Sequence, residues 1–146
     1  MFDNLNSPES KGGEIVVQRI FTLKEAEALV PHFNLCFEII EYLRERITEV
    51  WNSRSELSKG NGHAFKDLRQ FHSDLAIYNG AVEYIKRIIE FIRGTGVIIT
   101  DLEEGIIDFP YIRQGKLVYL CWKRKEKTIG YWHEIEVGFD ERKRLP

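Results

Sequence analysis

Four residues in the last third of the chain carry groups that could do chemistry: Asp108, Cys121, His133 and Glu134. Carboxylate, thiolate and imidazole all ligate zinc or iron, and each can move protons. Their spacing, however, matches no metal or catalytic signature, since CxxC, HxH and HExxH are all absent. His133 and Glu134 are adjacent, and successive strand residues point to opposite faces. A metal site built from His133, Asp108 and Glu134 is therefore the weaker alternative, and no metal or other cofactor is expected. The competing reading of His133 is a core imidazole bonded to Tyr111 or to a backbone carbonyl. Cys121 as a nucleophile would need a base and a lowered pKa. Asp108 is its expected neighbour, and a carboxylate raises a thiol pKa. Cys121 thus reads as a buried structural thiol, and no catalytic residue is assigned. Asp108 precedes Phe109-Pro110, where it could instead bond backbone N–H groups at a strand end.

The elements that hold these residues follow from hydrophobic period. From Val97 the period is two, which predicts an antiparallel meander. Its strands are 97–101, 106–113, 116–123 and 128–137, followed by a charged tail at 138–146. Gln114-Gly115 predicts a two-residue turn that sets Arg113 opposite Lys116. Treating 124–127 as a four-residue loop sets Lys123 opposite Thr128. One face then carries Ile107, Phe109, Tyr111, Val118, Leu120, Trp122, Ile129, Tyr131 and His133, and should pack on the helices. The other carries Asp108, Pro110, Leu117, Tyr119, Cys121, Trp132 and Glu134. That second face is too apolar for ordinary solvent. Asp108, Tyr119, Cys121, Trp132 and Glu134 form the candidate binding surface. A one-residue slip would exchange every assignment.

Upstream the period is helical. Residues 1–14 are polar and Gly-rich and read as a disordered leader; 15–146 reads as one domain. Ile15–Phe21, rich in β-branched residues, predicts an edge strand. Thr22 and Glu25 form a capping box, so a helix starts at Leu23. Pro31 predicts a kink or short break near Val30. The helix then runs to about Leu57 on Cys36, Ile40, Leu43, Ile47 and Val50, widened by Phe33, Phe37 and Trp51. Residues 58–63 form a loop. A second helix ends near Arg93, stopped by Gly94 and Gly96. It carries an unbroken stripe at Leu68, Phe71, Leu75, Tyr78, Val82, Ile85, Ile89 and Ile92. A second stripe, Ile77, Ala81, Tyr84, Ile88 and Phe91, lies on nearly the opposite face. The continuous stripe predicts no break at Asn79-Gly80, where Gly80 would admit another backbone. The hairpin spans 22–94, and two helices cannot bury two stripes alone. A homodimer through the helices is the expectation.

Composition excludes several classes. A net charge of −2 over 146 residues gives no global attraction to nucleic acid or an anionic membrane. Lys123, Arg124, Lys125 and Lys127 lie near Trp122 and Tyr131, a mix that can bind single strands. Yet residues 116–146 hold eight Lys or Arg against five Asp or Glu, so a solubilising hairpin loop is the better reading and a nucleic-acid partner is not expected. No Gly-rich phosphate loop is present. No apolar run suits a spanning helix or a signal peptide, so no membrane partner is expected. Two cysteines far apart read as reduced thiols of a cytoplasmic protein.

The segments FTLKEAEALVP (21–31), GIIDFP (105–110), GKLVYLCW (115–122), YWHE (131–134) and GF with Arg142 (138, 139) resemble an uncharacterised bacterial family, a domain of unknown function. The resemblance implies a long helical region followed by this C-terminal block, and no mechanism. The chain departs from it at Lys116, where Arg is usual, and at Lys125, where Gly is common. The reading is an α+β protein: a long antiparallel helical hairpin followed by a small antiparallel β-meander. Its expected function is a cytosolic, non-catalytic interaction or scaffold module with an unknown protein or small-molecule partner. The alternative is a small-ligand or metal-dependent enzyme using Asp108, Glu134 and His133.

Overall fold

The computed structural model describes residues 16–57 and 64–146. The expected leader at 1–14, Ile15 and the loop at 58–63 lie outside those residues. Two long helices, α1 (Leu23–Leu57) and α2 (Ala64–Gly94), precede the strands β1 (Ile98–Asp101), β2 (Ile106–Arg113), β3 (Lys116–Lys123), β4 (Tyr131–Glu134) and β5 (Lys143–Arg144). The architecture is the expected α+β helical hairpin with a meander. All neighbouring strands pair antiparallel in the order β1-β2-β3-β4-β5. The chain forms two compact units, Met1–Leu35 with Phe91–Pro146, and Cys36–Glu90.

Helix α1 begins as its capping box dictates. The Thr22 hydroxyl accepts from the Glu25 N–H at 3.2 Å, and the Glu25 carboxylate accepts from the Thr22 N–H at 2.8 Å. That N–H, with the Thr22 hydroxyl, holds the Glu25 carboxyl below its ordinary value. Loss of the N-cap side chain by Thr22→Ala should cost about 1 kcal/mol, read as a lower urea midpoint at unchanged slope. Because Glu25 titrates lower in the folded chain, the reciprocal bond stabilises above the unfolded carboxyl pKa. It fades as pH falls through the lower folded value.

Helix α1 runs through Pro31 without ending, so of the expected kink or short break the break does not occur. Pro31 and Glu27 both lie on the exposed side, so water can take the carbonyl that the missing N–H leaves free. On the covered side Ala26, Val30, Phe33, Phe37 and Ile40 are buried, a strict alternation of steps of three and four. Helix α2 is likewise continuous through Asn79-Gly80. A Cβ at Gly80, however, would have nothing within 4 Å among the described residues, so the expected close approach of a backbone is not found among them. Gly96 instead makes room for a side chain. It takes φ +94, and a Cβ there would meet the Arg19 side chain at 2.8 Å.

The segment before α1 is not the expected strand. Val16 to Ile20 have no regular structure and are largely exposed. Only Phe21 pairs, in a single parallel bridge to Tyr111, its N–H donating to the Pro110 carbonyl at 2.8 Å. In a strand the N–H and C=O of one residue point the same way. The donor that Pro110 lacks therefore faces the side beyond the end of β1, where no ladder bond is lost. Phe21 then sets its ring edge-on to Phe109, 5.3 Å between centroids, and Phe33 follows at 5.9 Å from Phe109 and 6.3 Å from Trp122. This aromatic cluster, with Ile107 and Leu120, is the core between the start of α1 and the sheet.

Candidate functional site

Register decides what meets on the other face of the sheet. Gln114 (φ +50) and Gly115 (φ +77) make the expected left-handed two-residue turn. It sets Arg113 opposite Lys116 and Asp108 opposite Cys121, as expected. The next connection differs. Cys121 pairs with Tyr131, Leu120 with Trp132, Tyr119 with His133 and Val118 with Glu134. That is one residue from the expected register, so every side chain of β4 changes face.

The cause is the turn after β3. Lys125 takes φ +74, the left-handed region that favours the glycine implied by the family resemblance. The Glu126 N–H donates to the Lys123 carbonyl at 3.1 Å, and the Glu126 carboxylate accepts from the Lys123 N–H at 3.0 Å. Asn34 of α1 accepts from the Lys125 N–H at 2.8 Å and donates to the Glu126 carbonyl at 3.3 Å. The clamped turn is followed by residues outside any strand up to Gly130, and the ladder with β3 resumes only at Tyr131. Trp122 is fully buried and gives its indole N–H to the Glu126 carbonyl at 3.0 Å. It therefore offers no stacking face to a nucleic acid.

The slip brings together three of the chemical candidates and removes the fourth. Asp108, Cys121 and His133 are 4%, 0% and 2% exposed, and one ligand atom from each lies within 4.8 Å of the others. His133 Nε2 stands 3.1 Å from Asp108 Oδ1, and Nδ1 stands 2.7 Å from the Glu134 carbonyl. A carbonyl only accepts, so Nδ1 carries a proton. The Thr100 hydroxyl donates to Asp108 Oδ2 at 2.6 Å. The Tyr119 ring stands edge-on to the imidazole at 5.7 Å. The expected neighbours Trp132 and Glu134 lie on the opposite face. Trp132 sits under the Arg113 and Lys143 cations, and Glu134 pairs with Lys143 at 2.7 Å. The surface expected from Asp108, Tyr119, Cys121, Trp132 and Glu134 is therefore not one surface, and Glu134 is not a partner of Asp108. The imidazole is bonded to Asp108 and a carbonyl rather than to Tyr111.

The electrostatics suit a closed polar cluster. Burial, then the Asp108 charge and a hydrogen bond to it, push the Cys121 thiol far above its ordinary value. That direction favours the thiol over the nucleophilic thiolate. Burial alone would lower the His133 pKa. The bonds to Asp108 and to the Glu134 carbonyl, with the two carboxylate charges, outweigh burial and hold it above the ordinary imidazole value. Burial and Asp108 also raise Tyr119.

Two participants were not foreseen. Thr100 is one of several β-branched residues, two positions from the Ile98 that pairs with Asp108, and so its hydroxyl shares the face of that carboxylate. Arg142 stacks on Tyr131 and Phe139 at 4.1 and 4.0 Å and pairs with Glu126 at 2.8 Å. Arg142 leads into a fifth strand, with Trp132 opposite Lys143 and the Leu145 N–H on the Gly130 carbonyl at 2.9 Å. The region read as a charged tail is thus the sheet edge.

A helical hairpin with a five-stranded meander, one sheet face closing over a carboxylate, a thiol and an imidazole, defines an α+β protein with a buried polar site. The chain belongs to the family described as an uncharacterized conserved protein, DUF2203, whose model matches residues 19–145. No curated protein and no solved structure matches it. Among the described residues, no helix is long and apolar enough to cross a membrane.

Proposed function

We propose that the protein is a non-catalytic interaction module that works as a homodimer through its helices. One observation supports this reading above the others. In the Cys36–Glu90 unit, Tyr42 and Trp51 of α1 and Leu68, Phe71, Leu75, Ile77 and Tyr84 of α2 are exposed, Trp51 by 64% and Tyr84 by 49%. Side chains of this size are wet on both faces of α2, while Ala81, Ile85, Ile88 and Ile89 are buried. Exposed apolar patches rimmed by charge are the mark of an interface. A second copy of the same two helices would complete a four-helix bundle, in which each stripe finds a partner. Both cysteines are free, which suits a reducing compartment such as the cytosol. Of the enzymatic alternative's residues, Asp108 and His133 meet at 3.1 Å, while Glu134 lies on the far face.

Sedimentation equilibrium tests the reading. The wild type is expected at twice the chain mass of 17.2 kDa. Ile77→Glu with Tyr84→Glu is expected to sediment as a monomer with unchanged helical circular dichroism, because both positions are exposed in the single chain. A wild type that stays monomeric at its highest soluble concentration would overturn it.

A further inference from the structure

We propose that Asp108, Cys121 and His133 form a binding site for one divalent transition metal ion, with zinc the best match. The set is one carboxylate, one thiol and one imidazole, the borderline mix that zinc prefers over calcium or magnesium. Three adjacent strands supply one ligand each, so the backbone ladder fixes their separation. Zinc bond lengths at tetrahedral angles place ligand atoms roughly 3.3–3.6 Å apart. The Asp108–His133 pair, at 3.1 Å, is close to that distance, and the thiol lies within 4.8 Å of both.

Each ligand is also oriented from behind. His133 gives Nδ1–H to the Glu134 carbonyl and turns Nε2 inward, and Thr100 holds the second Asp108 oxygen. Metal-binding histidines and carboxylates are oriented by just such outer bonds. Binding needs the thiolate and an unprotonated Nε2, so protons leave as the ion enters. The site is independent of the proposed dimer and lies wholly in the sheet.

The test uses untagged full-length protein, stripped with chelator and titrated with Co²⁺ and Zn²⁺. One equivalent of either ion per chain is expected, with a thiolate-to-cobalt absorption band in the near ultraviolet. Cys121→Ser, nearly isosteric, is expected to remain folded and lose the band. Thr100→Val, which leaves the ligands in place, is expected to weaken binding about 10–100-fold, the usual cost of losing a bond behind a ligand. Less than a tenth of an equivalent bound by folded wild type would overturn the proposal. So would stoichiometric binding without the band, which would place the ion elsewhere.

Discussion

Asp108→Ala is expected to cost about 3–5 kcal/mol of folding stability in the metal-free protein, the range seen when one member of a buried charge pair is removed. The carboxylate accepts from two donors, the Thr100 hydroxyl at 2.6 Å and His133 Nε2 at 3.1 Å. Removing it leaves those donors inside the protein with no acceptor, and buried unmade hydrogen bonds cost far more than made ones gain. Asp108→Asn keeps the shape and one acceptor oxygen and should cost less. His133→Ala should also be costly, because it strands the carboxylate. In a double-mutant cycle the two losses should fall well short of adding, since either change removes the same contact. Glu134→Ala is the control. Its carboxylate is an exposed partner of Lys143 on the opposite face, so the urea midpoint should stay where it is. If Asp108→Ala and Glu134→Ala shift the midpoint equally, the cluster is not the tightly coupled unit its distances describe.

The contrast between these two carboxylates also shows where sequence reasoning stopped. Three short-range rules held. Thr22 and Glu25 set the start of α1. Gln114-Gly115 set the β2–β3 register and hence the Asp108–Cys121 pair. Hydrophobic period set both helices and carried α2 through Gly80. The failures share a different origin. The turn at 123–126 depends on Asn34, about ninety positions away in sequence, and on a left-handed Lys125. Neither is visible in the local pattern of Arg124 to Lys127. One residue of error there was enough to send His133 to the wrong face and to place Trp132 and Glu134 beside Asp108. The fifth strand was missed because Lys143 and Arg144 are charged and too short a run to show a period. Its pairing is anchored instead by Arg142 over Tyr131. Periodicity in α2 said which faces need cover, and the single chain leaves Ile77, Tyr84 and Phe91 uncovered. Pattern alone does not name the molecule that covers them.

Phe109→Ala is the second large effect, of about 3–5 kcal/mol, and it arises by a different mechanism. Phe109 follows Asp108 and so points to the opposite face of β2, where it is fully buried. Its ring meets Phe21 edge-on at 5.3 Å and Phe33 at 5.9 Å, and Leu120 pairs with it across the ladder. Those neighbours come from the segment before α1, from α1 and from β3, so no single element can move in to fill the gap. The loss is therefore the transfer free energy of the ring plus the cost of a residual cavity. It carries no orphaned polar group, which separates it from Asp108→Ala. Phe109→Leu, which returns most of the volume, should recover much of the loss, whereas no apolar residue should rescue position 108 in the same way. Urea unfolding of the four variants Asp108→Ala, Asp108→Leu, Phe109→Ala and Phe109→Leu measures this directly. Rescue by leucine at 109 and not at 108 is the expected outcome. Rescue at both would mean that the Asp108 cluster is held by packing alone, and that its hydrogen bonds contribute nothing the apolar side of the sheet does not.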